Sequence, residues 1–99
     1  MATCVSMNQF GLATVCIEYC SECFDMPLAV RVAQDILTEY EDHIEQLVLF
    51  PSSGGGFDVK VNGRFAFSRA GAGRNAQEGE IVRNVGRELG VIASMGDGD

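Results

Sequence analysis

Cys20 and Cys23 stand two residues apart in the stretch "IEYCSECFDMPLAVRVAQDIL". Three readings compete for that spacing: a reversible dithiol couple, half of a zinc site, or two small core residues. A couple needs one sulfur to attack a disulfide and a second, close by, to resolve the mixed disulfide. Two intervening residues let the second sulfur reach the first across one turn. The attacking species is a thiolate, and a helix N-terminus favours an anion, so a cysteine there acquires more nucleophile at neutral pH. A strand-like run precedes the pair and a helix-like pattern follows it. The expectation is an exposed strand–helix junction with Cys20 and Cys23 opening the helix. Alone the spacing is a weak signal; in a strand–CxxC–helix context it gains weight for redox chemistry.

A structural zinc site needs four ligands, often as two separated pairs. Here there is one pair. Cys16 falls on the preceding strand, and Cys4 near the chain start. The single histidine, His43, would lie about 30 Å from the pair along a continuous helix. No metal is therefore expected. The core-residue reading is strongest for Cys16, a small side chain on a strand. Arg31 and Arg74 offer charge that could steer an acidic co-substrate such as glutathione, although solvated arginine is the plainer reading. The "SGGG" run lacks the Lys-Ser/Thr and the following helix of a phosphate-binding loop.

The elements that must position the pair follow from apolar periodicity. "TVCIEY" alternates as a strand, with Val15, Ile17 and Tyr19 on one face and Cys16 and Glu18 on the other. A helix follows, with Asp25 as cap and Pro27 in its first turn. Ala29, Val32, Ala33, Ile36, Leu37 and Tyr40 form its apolar face. "IEQLVLF" is the next strand, and Pro51 with "SSGGG" ends it. "FDVKVNGRFAFS" reads as a hairpin on Asn62-Gly63. A three-residue loop, Val61 to Gly63, would set Val59 opposite Phe65 and Phe57 opposite Phe67, gathering the large groups on one face. "AGAGRN" reads as a loop. From about Glu78 a second helix carries Ile81, Val82, Val85, Leu89 and Ile92, with Gly90 near its end. The order β-α-β-β-β-α predicts an α/β, thioredoxin-like fold: a four-stranded mixed sheet with two helices packed on it. The expected organisation is a flexible leader over 1–12, one domain over 13–93 and an acidic disordered tail over 94–99.

Composition narrows the partners. Ninety-nine residues carry seven basic and fourteen acidic side chains, a net charge of −7. Phosphate backbones need clustered Lys and Arg, so nucleic acid is not an expected partner, and neither is an anionic membrane. No apolar run approaches the roughly 20 residues that span a bilayer. All four cysteines lie in the first quarter of the chain, unlike a scaffold of disulfides that staples distant segments. A cytoplasmic location is expected.

From Val15 to Val85 the chain resembles the selenoprotein W-like (Rdx) family. The resemblance rests on "IEYCSEC", "AQDILTEY", "LVLFPSSGGGFDVKVNGRFAFSR" and "EGEIVRNV" in that order. It implies a thioredoxin-like fold and a CxxC redox motif, with Cys20 at the family's first cysteine. Cys23 would hold the position of selenocysteine in selenoprotein members. It also implies glutathione- or thioredoxin-linked thiol oxidoreductase activity, with glutathione as a co-substrate or a thiol/disulfide protein as partner. Strand-end position favours Cys20 as the attacking sulfur, while selenocysteine usage favours Cys23. The sequence departs from the family at Asn75-Ala76, where "GxFP" often stands. It also lacks the proline that classical thioredoxins place before the strand facing the disulfide. The other functional reading is a non-catalytic interaction module of the same fold.

Overall fold

The computed structural model describes residues 12–90. Cys4, Ile92, the expected leader (apart from Leu12) and the expected tail lie outside them. Strand β1 (Ala13–Cys20) leads to helix α1 (Met26–Tyr40), and a 3₁₀ turn (Glu41–His43) leads to β2 (Ile44–Ser52). Then come β3 (Phe57–Val61), β4 (Arg64–Ser68), a one-turn helix α2 (Arg69–Ala72) and α3 (Glu80–Leu89). The sheet order is β2-β1-β3-β4. β1 and β2 run parallel, as a strand–helix–strand crossover requires. The other two pairings are antiparallel. This is the expected four-stranded mixed α/β sheet.

One core holds it together. Val15 and Ile17 of β1, Phe57, Val59 and Val61 of β3 and Phe67 of β4 meet Ala29, Val32, Ala33, Ile36 and Tyr40 of α1 and Ile81 and Val85 of α3. Every strand residue in that set has the same parity, so both helices lie on one face of the sheet. Gly86 lets α3 come close to α1: a Cβ there would lie 2.8 Å from Cζ of Tyr40. β2 runs on through Pro51 to Ser52, past the expected end. Proline is tolerated there because β2 is an edge strand.

The hairpin departs from the expected register. Asn62 (φ 52°) and Gly63 (φ 84°) both take left-handed conformations, so the loop has two residues, as Asn-Gly favours. Val61 faces Arg64 and Lys60 faces Phe65. A bulge at Ala66 then shifts the register, and Val59 faces Phe67. The local turn preference wins at the tip, and the bulge returns Phe67 to the core further on. Asn84 of α3 donates to the Ala66 carbonyl (3.0 Å) and so holds the bulged residue. Phe65 is thereby turned out of the core, 56% exposed, with the Lys60 ammonium 4.8 Å from its ring centre. Asn62 also clamps β1. Its N–H donates to the Thr14 carbonyl (2.9 Å), and its Oδ1 accepts from the Thr14 N–H (3.0 Å).

"AGAGRN" is not all loop. Ser68 Oγ accepts from Gly71 N–H (3.1 Å) and caps α2, and Gly73 (φ 71°) ends it. Helix α3 starts at Glu80 and closes at Gly90 (φ 78°).

Candidate functional site

Cys20 and Cys23 form a disulfide with Cα atoms 5.3 Å apart. Their positions differ from the expected exposed pair. Cys20 is the last residue of β1, opposite Ser52, and is 1% exposed. Cys23 is exposed in the turn over residues 21–24, its N–H donating to the Cys20 carbonyl (3.3 Å). The pair does not open the helix, because α1 starts at Met26. Strand order explains the burial. β2 and β3 flank β1, so the chain from Ser53 to Gly56 must cross the end of β1, where Cys20 sits. Two strand spacings make about 10 Å, and the chain from Ser52 to Phe57 reaches at most about 18 Å, so the loop stays near the strand end it crosses. Gly54 (φ 102°) and Gly55 (φ 82°) supply the left-handed backbone for that crossing.

The turn is tied down on both sides. Ser21 donates to the Ser52 carbonyl through its N–H (2.7 Å) and its hydroxyl (2.9 Å). Ser52 Oγ donates to the Tyr19 carbonyl (3.1 Å). On the helix side Asp25 occupies the cap position, but its side chain does not cap the helix. Its carboxylate accepts from Arg69 (2.7 Å) instead. The same guanidinium donates to the Gly55 carbonyl (2.9 Å) and to Asn75 Oδ1 (3.2 Å), and lies over the Phe57 ring, 5.7 Å from its centre. Arg69 therefore joins the start of α1, the glycine loop and the segment before α3. Sequence reasoning misses it: Asp25 reads as a cap, and its true partner is 44 residues away.

The other candidates are not at the couple. Cys16 is buried in mid-β1. His43 sits in the turn before β2, beside the start of β1, at the opposite end of the sheet from Cys20. Among the described residues no three His, Cys, Asp or Glu side chains gather as a metal site, and no helix is long and apolar enough to cross a membrane. Arg74 is engaged by both carboxylate oxygens of Glu80 (2.8 and 2.9 Å). The Arg74 hydrogen bond, with the Gln77 N–H beside it, draws the Glu80 carboxyl down to about 2. This clamp, with Arg69 on Asn75, fixes the segment that departs from "GxFP". Arg31 is exposed at the rim of a cleft of about 490 Å³ between α1 and α3. Leu28, Val32, Phe57, Phe67 and Ile81 form its apolar lining, and neither sulfur reaches it.

The backbone beyond Cys23 is unusual. Phe24 takes φ 59° and is 93% exposed. Met26 (52%) and Val30 (46%), one helical turn apart, continue the apolar surface along α1.

The arrangement can make and break a disulfide between one shielded and one open sulfur, which is redox chemistry in general terms. Comparison with known proteins agrees. The model of the Rdx family matches residues 14–87. A selenoprotein W-related protein from Vibrio cholerae superposes with a TM-score of 0.74 at 26% identity, over 79% of this chain and 98% of that one. A protein from Bordetella parapertussis shares the fold with a TM-score of 0.70 at 24% identity, over 75% of this chain and 94% of that one. No curated protein matches the sequence. A family match across the whole sheet and both long helices, with a CxxC pair at the end of its central strand, leads to one conclusion: the chain belongs to the Rdx family.

Proposed function

We propose that the protein is a thiol–disulfide oxidoreductase or redox-regulatory protein that cycles Cys20 and Cys23 between dithiol and disulfide. The observation that supports it is the unequal exposure of two sulfurs held within bonding reach. Cys23 attacks, because of the two sulfurs only its residue is open to a partner. Its thiolate bonds to one sulfur of the substrate disulfide, and the other leaves as a thiolate that takes up a proton. Cys20, deprotonated in turn, attacks Cys23 in the mixed disulfide and expels the second substrate thiol. Two electrons and two protons pass from the dithiol to the substrate. Two glutathione thiols or one thioredoxin-type dithiol would return them. The clustered cysteines suit a reducing, cytoplasmic setting.

Single Cys→Ser variants offered a disulfide substrate test the assignment. Cys20→Ser is expected to accumulate a mixed disulfide at Cys23, and Cys23→Ser to trap none. A midpoint potential between roughly −180 and −270 mV is expected for exchange with glutaredoxin- or thioredoxin-type systems. If neither variant traps a partner and the wild type forms no internal disulfide under mild oxidant, the reading fails. A non-catalytic interaction module of the same fold would then take its place.

A further inference from the structure

Phe24 combines two unfavourable features. A bulky residue at positive φ is a backbone outlier, and a fully exposed phenylalanine forgoes the hydrophobic stabilisation that burial gives such a side chain. Nothing in the described chain covers it: the residue is 93% exposed. Its neighbours hold it there. On one side the Cys23 N–H donates to the Cys20 carbonyl (3.3 Å), on the other Asp25 is fixed by Arg69, and neither tie needs the disulfide.

We infer that Phe24 is a preorganised docking anchor, and that its occupant is the protein exchanging disulfides at Cys23. This rests on the redox reading of the couple. Whatever exchanges with Cys23 must approach the surface that the next residue dominates. A small thiol has no surface to cover an aromatic ring, whereas a folded partner or peptide does. An anchor already set in its bound conformation loses little entropy on binding. Charge defines the partner further. Glu22 is exposed on the other side of Cys23. Glu18 and Asp58 are register neighbours near the same end of the sheet, and the whole chain carries −7. The fitting partner therefore offers an apolar pocket beside its cysteine and a basic rim. Met26 and Val30 extend the contact along α1.

The test compares wild type with Phe24→Asn and Phe24→Trp. Asparagine tolerates the left-handed backbone and removes the ring, so the fold is retained; tryptophan keeps an aromatic anchor. The reduced proteins react with two disulfide-linked peptides, one flanked by Leu and Lys and one by Ser and Glu. The oxidised proteins react with dithiothreitol. Wild type is expected to favour the Leu/Lys peptide. Phe24→Asn should lower that rate about tenfold, the size of a modest hot spot, while Phe24→Trp keeps most of it. All three should react equally with dithiothreitol. Equal peptide rates in wild type and Phe24→Asn, with normal dithiothreitol chemistry, overturn the anchor and leave the couple standing. Failure to react with dithiothreitol or either peptide overturns the couple, and the anchor with it. Wild type that sediments as a dimer, made monomeric by Phe24→Asn, overturns the proposed occupant in favour of a second copy.

Discussion

Through one guanidinium, Arg69 reaches the Asp25 carboxylate, the Gly55 carbonyl and Asn75. Asp25 has a side chain only 12% exposed, so removing its partner leaves a poorly solvated charge. Arg69→Met is expected to cost about 2–3 kcal/mol in urea unfolding, as for an unpaired, mostly buried polar or charged group. Arg69→Lys should fall between, because an ammonium keeps the charge without the fork that serves three acceptors. A Met variant as stable as wild type would show that the three contacts are incidental. The two cysteines were legible as a candidate couple from their spacing between a strand and a helix, because that context is local. Their unequal burial was not, since it depends on which strands end up beside β1.

Among the elements, the segment before α3 is held electrostatically. Arg74 and the Gln77 N–H both favour ionised Glu80 and lower its carboxyl to about 2, against 4.5 for the unperturbed group. The folded chain therefore binds fewer protons at Glu80 than the unfolded chain between those values. That contribution is fully present above pH 4.5 and is lost as pH falls toward 2. Glu80→Gln should flatten this part of the stability profile, read from thermal midpoints between pH 2 and 6. Its effect at pH 7 should be small and salt-sensitive, as befits a solvated pair. A profile unchanged in shape would mean the clamp adds nothing. The helices and strands themselves were readable because apolar spacing shifts from two to about 3.6 residues between them. Phe65 was misplaced because a three-residue loop was expected, whereas the two-residue turn sets Phe65 opposite Lys60, outside the core. Asn-Gly located the turn but not its length, and no local pattern marks the bulge at Ala66, whose carbonyl is caught by Asn84, 18 residues away.

At the level of the whole molecule, an order of β2-β1-β3-β4 makes the couple's strand central and sends one short connection across its end. A mixed four-stranded sheet was expected, but the strand order, and with it the effect on Cys20, comes only with the assembled sheet. The span from Ser53 to Gly56 is a short one for striding over a strand. Its length therefore acts as a depth stop for the inner sulfur. What Gly54 and Gly55 contribute there is left-handed backbone and not close packing, since a Cβ on either would meet nothing within 4 Å. Two glycines added between Gly54 and Gly55 should leave the sheet intact. Loop closure grows only slowly with length, by less than about 1 kcal/mol here. They should nevertheless let iodoacetamide reach Cys20 in the reduced protein, read as faster alkylation of the Cys20 peptide by mass spectrometry. If Cys20 stays as slow as before, the strand end and not the loop sets its depth. Where the stop holds, a partner's first covalent contact is fixed by chain length, and the inner sulfur can be opened to partners without altering either cysteine.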